Sequence, residues 1–536
     1  MSEESGSFFS NRTVFFGDIH NHCGVSYGHG PLEDALENGA LQLDFLAVTG
    51  HAGWPDMDDL PLPEAITAYH QEGIERLWKN WEQYVERTQA FNQPGVLATF
   101  FSYEYHSFRF GDRTVVTPIP PKSPELPDTP ESFGELLKRF DAHDEQALLL
   151  PHHIGYQKGY RGVNWDSVTD EASPLVEIYS LHGLAETDEG ALAPYLHTMG
   201  PLNGGQTMQS GLAQGHRFGV TASTDHHSAH PGSYGYGCTA VWATELSRPA
   251  IWEALLARRT YAITGDRITL SFAVNGAPLG SRVAASPAPS APAADSDRPS
   301  ASPADGNHAP RLIEAEVTGR DALDRVEVLK NNRVIHRVFA GDREPQPLGE
   351  EPILVTVYLE LGWGEKGTPV EWEVLLEVTE GRLVDVEPRL RGVDVVDPLD
   401  KRGYPTRFSS WKREGETGVS LRTMTFGNVT TTTVQTQGMA LDIEATRKSV
   451  LRVRANGTDM SFPLSVAAER SQTEYLGGFT SPAVRVHRLS TRKQQRCSIR
   501  FEDEGAELPE DWYYLRVFQK NGHAAWSSPV WIAHET

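Results

Sequence analysis

The 536-residue sequence has few cysteines, no long apolar run, and fewer basic than acidic residues. Three cysteines cannot form a disulfide framework, which favours a reducing compartment such as the cytoplasm. No apolar run approaches the ~20 residues of a membrane-spanning helix, and the polar N-terminus lacks a signal-peptide pattern. The formal net charge of −24 argues against coating nucleic acid or an anionic membrane, because these partners attract positive surfaces. We therefore predict a cytoplasmic protein with no nucleic-acid or membrane partner.

Histidine is concentrated in the first half, where fifteen of the twenty histidines precede residue 267. This half alternates apolar runs with amphipathic segments, which is typical of a parallel sheet or an α/β barrel. The predicted strands cover 13–19, 44–49, 96–103, 147–151, 175–179 and 219–223, and the predicted helices cover 32–39, 64–93, 132–144 and 251–258. Nearly every predicted strand is followed by histidine, glutamate or aspartate. In an α/β barrel these strand ends open on one face, where active sites lie.

From residue 269 onward the pattern changes to short alternating strands and turns, which predicts an all-β, sandwich-like region. Residues 281–310 are rich in alanine, proline and serine. This low-complexity composition cannot pack into a core and predicts a disordered loop. We therefore predict two units, a catalytic barrel over 1–268 and a β region over 269–536.

The polar residues after the strands have the composition of a metal site. His20 and His22 stand two residues apart after the first strand, a spacing at which both rings can bind one ion. His51, Glu104 and Asp225 follow later strands. Further histidines at the same kind of position are His152, His153 and His227. Imidazoles mixed with carboxylates suit zinc, manganese or iron, and the lack of thiolate ligands argues against a closed structural zinc site.

In their order and spacing these residues resemble the PHP (polymerase and histidinol phosphatase) superfamily. The motifs are His20-x-His22, Thr49-Gly50-His51, Glu104, Pro151-His152-His153 and Ser223-Thr224-Asp225-His226-His227. The sequence is most similar to the branch of uncharacterised PHP-like proteins that carry an added C-terminal β domain. Softer signatures of that branch lie at 259–268, 514–517 and 525–529. The resemblance implies a distorted (β/α)7 barrel that holds two or three divalent ions of manganese, zinc or iron.

The resemblance also implies which residues bind the metal ions. The implied ligands are His20, His22, His51, Glu104, His152, Asp225 and His227. Within this set Glu104 bridges two ions. We prefer His152 to His153 because it directly follows Pro151, and His153 stays an alternative.

The sequence departs from the family pattern at three positions. Gly50 stands where many relatives carry aspartate, so one outer carboxylate is missing. Arg113 stands where a ligand histidine is expected, although His106 and Asp112 are near. Many relatives carry aspartate or histidine shortly after the position of Ser26, and His29 lies one position away from that place. The number of ions therefore stays open between two and three.

The predicted function is metal-dependent hydrolysis of a small anionic phosphate ester by a hydroxide that bridges two ions. Glu104 bridges the ions, Asp225 orients or deprotonates the nucleophile, and His182 or His29 is the candidate proton donor. The candidate phosphate-binding cations are Lys158, Arg161 and Arg113.

Two other functions stay open at this point. The same kind of centre can hydrolyse an amide, ester or carbohydrate-linked bond, because the fold does not fix the substrate. The chain could instead be a non-catalytic binding module. Neither the substrate nor the formation of a homo-oligomer follows from the sequence.

Overall fold

The computed structural model describes residues 8–124, 147–189, 200–284, 310–341, 343–344, 346–394, 403, 405–427 and 434–534. The helix predicted over 132–144 lies outside the described residues, as do residues 285–309 of the predicted disordered loop. The start of that predicted loop is wrong, because Arg282–Ala284 form a strand that pairs with Trp531–Ala533. The described chain is mostly β, with mixed sheets.

The helices are short except for one. They are α1 Leu32–Ala40, α2 Glu64–Ala90, α3 Met208–Ala213, α4 Arg248–Leu256, α5 Leu464–Ala467 and α6 Arg492–Gln495. Single 3-10 turns cover Met57–Asp59, Trp165–Ser167 and Gly204–Gln206. None of these helices combines the length and the apolar composition that crossing a bilayer requires.

The strands of the first half are β1 Thr13–Asp18, β2 Phe45–Leu46, β3 Thr49–Gly53, β4 Ala98–Thr99, β5 Phe101–Tyr105, β6 Arg113–Thr117, β7 Leu148–Pro151, β8 Leu175–Ser180, β9 Gly183–Leu184, β10 Gly219–Ala222, β11 Cys238–Ala243 and β12 Thr260–Ile263. The next strands are β13 Thr269–Val274, β14 Ala277–Pro278, β15 Arg282–Ala284, β16 Arg311–Thr318, β17 Leu323–Lys330, β18 Arg333–Phe339, β19 Ile353–Trp363, β20 Pro369–Arg389, β21 Ser410–Glu414 and β22 Gly418–Phe426. The last are β23 Gln437–Ala455, β24 Thr458–Pro463, β25 Gln472–Tyr475, β26 Pro482–Val486, β27 Ser490–Thr491, β28 Arg496–Asp503, β29 Glu510–Gln519, β30 Ala524–Ser527 and β31 Val530–Ala533.

The parallel strands of the first half belong to three hydrogen-bonded sheets. β1, β2 and β4 pair in parallel, as do β3 with β5 and β8 with β10. Antiparallel strands interrupt this pattern, since β11 pairs with β1 and β6 lies between β5 and β7. β7 packs beside β8 and β10 beside β12 without forming a ladder. The described strands are thus not closed by hydrogen bonds into one ring, and the (β/α)7 barrel stays a prediction.

Helix α2 packs one face against strand β3 of the first half. Its buried residues are Gly73, Leu77, Trp81, Tyr84 and Thr88, at intervals of three or four. This spacing puts them on one side of a helix with 3.6 residues per turn. The helix predicted over 64–93 is thus confirmed, although it ends at residue 90.

The C-terminal strands return to the first half of the chain. β30 pairs antiparallel with β12, which places Trp526 opposite Ala262. Both side chains are fully buried in one core. β29, β31, β17, β18 and β15 extend the same 11-stranded sheet. A hydrogen-bonded sheet therefore crosses the predicted boundary at residue 268, and the division into two units stays a prediction.

Most of the remaining strands form a nine-stranded antiparallel sheet around β20 and β23. Alternate residues of β20, such as Trp372, Val374 and Leu376, face its core, because successive side chains of a strand point to opposite faces. At residue 390 the chain leaves β20 and runs toward the loops of the first half, where the candidate site lies.

Candidate metal centre

The predicted ligands meet at one end of the strands of the first half. His20 follows β1, His51 lies in β3, Glu104 lies in β5, and Asp225 follows β10. β3 and β5 are parallel neighbours that place His51 directly opposite Glu104. Each of the four residues is at most 2% exposed. The strand order therefore brings distant parts of the chain into one buried cluster.

Two imidazoles and two carboxylates form the centre of this cluster. His22 Nε2 lies 3.0 Å from Asp225 Oδ1 and 3.3 Å from Glu104 Oε2. His20 Nε2 lies 3.4 Å and 3.3 Å from the same two oxygens. The two Nε2 atoms are 3.2 Å apart. Four ligand-type atoms thus surround one small volume.

The hydrogen bond at Nδ1 of His20 and of His22 determines which nitrogen of each neutral ring carries the proton. His22 Nδ1 is 2.7 Å from the backbone carbonyl of Thr49, and a carbonyl can only accept, so Nδ1 carries the proton. His20 Nδ1 faces both oxygens of Glu177 at 3.1 and 3.2 Å and donates there. In the neutral rings both Nε2 lone pairs therefore point toward the carboxylate oxygens of the centre. Such a convergence of acceptors fits a divalent cation bound by imidazole and carboxylate.

Asp225 and Glu104 extend the cluster to three more histidines. Asp225 Oδ2 lies 2.8 Å from His153 Nε2 and 2.8 Å from His182 Nε2. His152 Nε2 lies 3.1 Å from Glu104 Oε1. Both histidines of the 152–153 pair therefore reach the cluster, each on a different carboxylate, and His182 lies beside Asp225.

His51 and His227 lie on another side of His22. The ring centroid of His22 is 4.0 Å from that of His51 and 4.3 Å from that of His227. One nitrogen of each of the three rings lies within 4.8 Å of the others. His227 Nδ1 donates to the backbone oxygen of Asp225 at 2.8 Å, which leaves its Nε2 as an acceptor. The His227 side chain is 32% exposed, so solvent reaches the cluster beside it.

The sequence analysis gave His106 and Asp112 no role, yet both lie in the cluster. His106 Nδ1 is 2.9 Å from Glu104 Oε1 and 3.2 Å from Asp112 Oδ2, and its ring also contacts the Tyr27 hydroxyl. Arg161 reaches Asp112 at 2.5 Å and His106 Nδ1 at 2.6 Å. Burial raises the pKa of Asp112, but Arg161 and His106 outweigh burial and lower it to about 2. Spacing along the chain placed His106 and Asp112 near an expected ligand position but gave no sign of their contacts with Arg161, because these contacts form between separate loops.

Two buried carboxylates that the sequence analysis did not single out support the ligands. Glu177 on β8 accepts from His20, as described above. Asp18 accepts from the backbone N–H groups of His20, Thr224 and Gly232, at 3.2, 3.2 and 2.8 Å, and from Thr224 Oγ1 at 2.5 Å. It thereby joins the loops that precede His22 and Asp225. The available signal was an acidic residue within an apolar strand, because buried acids are almost always paired.

The charge states of the two central carboxylates favour cation binding. Burial raises the pKa of Glu104, but the nearby histidines, led by His106, outweigh burial and hold the pKa well below its usual range. Burial also raises the pKa of Asp225, and His20 leads the groups that outweigh it and hold the pKa low. Burial holds the pKa of His51 well below its ordinary value. Burial also lowers the pKa of His20 and His22, but the neighbouring carboxylates, led by Glu177 for His20 and by Asp225 for His22, outweigh burial and raise it. A metal ion binds the ionised carboxylates directly and displaces the proton from an imidazole that it binds.

The backbone is strained at three residues of the cluster. Asp225 has φ 53°, His153 has φ 49° and Arg161 has φ 70°, all in the left-handed region. Such a conformation costs a non-glycine residue of order 1–3 kcal/mol and persists where surrounding contacts enforce it. The Asp225 N–H donates to the backbone oxygen of His20 at 2.8 Å, which is one such contact.

The three candidate phosphate-binding cations lie in different environments. Arg161 lies in the cluster, with its side chain 12% exposed. Lys158 is half exposed and forms an ion pair with Asp166 at 2.8 Å. Arg113 is fully buried, and the β5–β6 register places it opposite Tyr105, one residue beyond Glu104. Successive side chains of a strand point to opposite faces, so Arg113 lies on the other face of the sheet from Glu104.

The structure also describes the surroundings of Gly50 and His29, the other two positions that depart from the family pattern. A side chain at Gly50 would place its Cβ 2.6 Å from Leu77 Cδ1 on helix α2. The helix therefore occupies the space that an aspartate would need. His29 lies beside the cluster and donates its backbone N–H to the backbone oxygen of His227 at 2.8 Å.

Comparisons with known proteins give distant similarities. Residues 232–333 match a family described as a protein of unknown function (DUF3604). An uncharacterized protein of Chlamydia pneumoniae is 29% identical over 279 residues, which cover 48% of this chain and 41% of that protein. An uncharacterized protein of Chlamydia trachomatis serovar D is 27% identical over 238 residues, which cover 42% of this chain and 35% of its own length. The chain thus spans less than half the length of these curated relatives. A solved two-domain protein of Bacteroides vulgatus, containing a predicted PHP-like metal-dependent phosphoesterase, has 13% identity and a TM-score of 0.31, over 60% of this chain and 80% of that one.

Proposed function

We propose that this protein is a metal-dependent hydrolase that cleaves a small anionic phosphate ester. The observation that carries the proposal is the convergence of His20 Nε2, His22 Nε2 and carboxylate oxygens on one buried volume, with the ring protons directed away from it. The resemblance of the same residues to the PHP superfamily supports the phosphoesterase activity.

The residues that would hold divalent ions are His20, His22, His51, Glu104, His152, Asp225 and His227, with His153 as a further candidate. Manganese, zinc or iron bound there would supply positive charge that polarises a phosphoryl oxygen and acidifies water. Glu104 suits a bridging role, because Oε2 contacts His20, His22 and His51, whereas Oε1 contacts His152 and His106.

Side chains of the chain itself can handle the proton and the phosphate charge. Asp225 is ionised and can orient the attacking water or accept its proton. His182 is the proposed proton donor, since its Nε2 lies beside Asp225 and its Nδ1 contacts the Tyr156 hydroxyl at 2.9 Å. Arg161 is the proposed phosphate cation, because its guanidinium lies at the cluster and stays charged at neutral pH.

The first test combines metal analysis with a screen of phosphate monoesters and diesters. We expect about two transition-metal ions per chain and metal-dependent release of p-nitrophenol from p-nitrophenyl phosphate or its bis-ester. Metal without phosphatase activity, together with turnover of an amide, ester or carbohydrate-linked substrate, would identify a different hydrolase. Neither metal nor turnover would identify a non-catalytic module and overturn the proposal.

The second test removes single ligands. We expect His22→Ala and Asp225→Asn to lower turnover by about 100-fold or more, since even outer partners of metal ligands contribute about 10–100-fold. Thermal unfolding should stay cooperative. His216→Ala is the matched control, because His216 stacks on Trp165 with ring centroids 5.3 Å apart, outside the cluster. Unchanged rates in both ligand variants would refute the assignment.

A further inference from the structure

The loop that carries Asp225 and His227 is covered by a segment from the second half of the chain. This segment, residues 390–394, follows β20, and we call it the strap. Tyr234 N–H donates to the Leu390 carbonyl at 2.9 Å, and Gly392 N–H donates to Ser233 Oγ at 3.1 Å. The Tyr236 hydroxyl donates to Asp394 Oδ2 at 2.6 Å. Backbone and side-chain hydrogen bonds thus join the strap to the loop between β10 and β11, residues 223–237, which we call the ligand loop.

The strap approaches the ligand loop most closely at Gly392. A Cβ added there would lie 2.4 Å from His226 Cε1 and 2.6 Å from His230 Cβ. His226 directly follows Asp225 and directly precedes His227. Any side chain at position 392 would therefore push on the short segment that carries two proposed ligands.

The His226 ring packs against the strap without a hydrogen bond to it. His226 Nδ1 accepts the Ser228 N–H at 3.2 Å, so in the neutral ring Nε2 carries the proton. That Nε2 faces Asp394 Oδ1 at 3.7 Å. Asp394 Oδ2 also accepts from Gln435 at 2.9 Å, which holds this carboxylate against the β half.

The other side of the ligand loop is bonded to the His20–His22 segment. His22 N–H donates to the His226 carbonyl at 2.8 Å, and Ala229 N–H donates to the His22 carbonyl at 3.1 Å. The loop lies between this segment and the strap. Ala229, like Asp225, has a left-handed φ, 52°. Two strained residues in five persist only when contacts on both sides enforce the backbone.

We infer that the strap is a positioning device of the metal centre, in which Gly392 and Asp394 hold the His226 segment so that Asp225 and His227 face the other ligands. This inference rests on the proposed function. The second half of the chain would then position two of the proposed ligands, although the strap itself provides none of them.

The test is a Co2+ titration of the full-length protein and of two strap variants. We expect Gly392→Val to raise the Co2+ dissociation constant about tenfold or more, in line with the loss of outer partners of metal ligands. Asp394→Ala should act in the same direction with a smaller effect, and its half-buried position makes it the safer variant if Gly392→Val does not fold. Both variants should also change the visible absorption spectrum of bound Co2+, which reports ligand geometry and which a loss of stability alone would not alter.

The matched control is Gly478→Val, the same substitution in the second half at a glycine with no atom within 4 Å of an added Cβ. We expect it to bind Co2+ as the unaltered chain does. Folded strap variants with unaltered affinity and spectrum would overturn the inference while leaving the proposed function intact. Failure of the unaltered chain to bind Co2+ would overturn both.

Discussion

Glu177 provides the sharpest test of how the ligand protons are arranged. Its two oxygens lie 3.1 and 3.2 Å from His20 Nδ1, and both residues are buried. The carboxylate holds the Nδ1 proton and so leaves the Nε2 lone pair for a cation. Glu177→Gln keeps the size of the side chain but removes its charge and one of its two acceptor oxygens.

The expected magnitude follows from this contact. A hydrogen bond to a charged group contributes about 1.5–3 kcal/mol, which corresponds to about 10–100-fold in an equilibrium constant. This agrees with the range for outer partners of metal ligands. We therefore expect Glu177→Gln to raise the Co2+ or Mn2+ dissociation constant about 10–100-fold in isothermal titration calorimetry.

The chain offers a matched control at a second histidine–glutamate pair. His487 Nε2 lies 2.7 Å from Glu360 Oε2, and Glu360 also accepts from Thr436 Oγ1 at 2.7 Å. Neither contact involves a proposed metal ligand. Glu360→Gln removes the same charge from a comparable contact and should leave metal affinity unchanged. Equal affinity in Glu177→Gln and the unaltered chain would refute the proton arrangement. An equal loss in both variants would point to a general effect on the fold.

Two further predictions concern stability and are read from denaturant unfolding. Gly50→Ala should destabilise the protein by about 1–3 kcal/mol, because overpacking a filled space has that cost and the new Cβ would lie 2.6 Å from Leu77; wild-type stability would contradict this. Burial raises the pKa of Asp266, but Arg389, 2.7 Å away, leads the groups that outweigh burial and hold the pKa well below its usual range. The stability from this ionised group is present above the unfolded pKa of about 3.9 and is lost as pH falls toward the lower folded pKa. The free energy of unfolding should thus fall more steeply between about pH 5 and 2 in the unaltered chain than in Asp266→Asn, and equal slopes would contradict the reasoning.

The sequence predicted those elements that are marked by an apolar pattern within a single segment of the chain. The apolar spacing of α2 is visible within one segment, and its predicted start at residue 64 matches the structure. The strand ends before His20 and Asp225 were equally visible, because an apolar run stops there. The strand predicted to end at residue 103 instead continues through Glu104 to Tyr105. These local patterns were enough to nominate residues that lie together in the structure.

The remaining features depend on pairings between distant segments. β6 was not predicted, and Arg113 at its start points to a different face from Glu104 because of the antiparallel register. His106 reaches Glu104 directly at 2.9 Å, and Arg161, about 50 residues away along the chain, binds both His106 and Asp112. Neither strand register nor the direction of a loop side chain is encoded by spacing alone. The same reason explains why the pairing of β12 with β30 was not foreseen.

The β12–β30 pairing constrains how the chain can fold during translation. When Ile263 leaves the ribosome, its strand partner at Ala525 is still about 260 residues from being made, a delay of roughly 15–50 s at about 5–20 residues per second. Through that interval the nascent chain carries an unpaired β edge, a template for association with other chains. Shielding this edge, by chaperones or by a transient partner strand, would then protect the nascent chain from association until β30 is made.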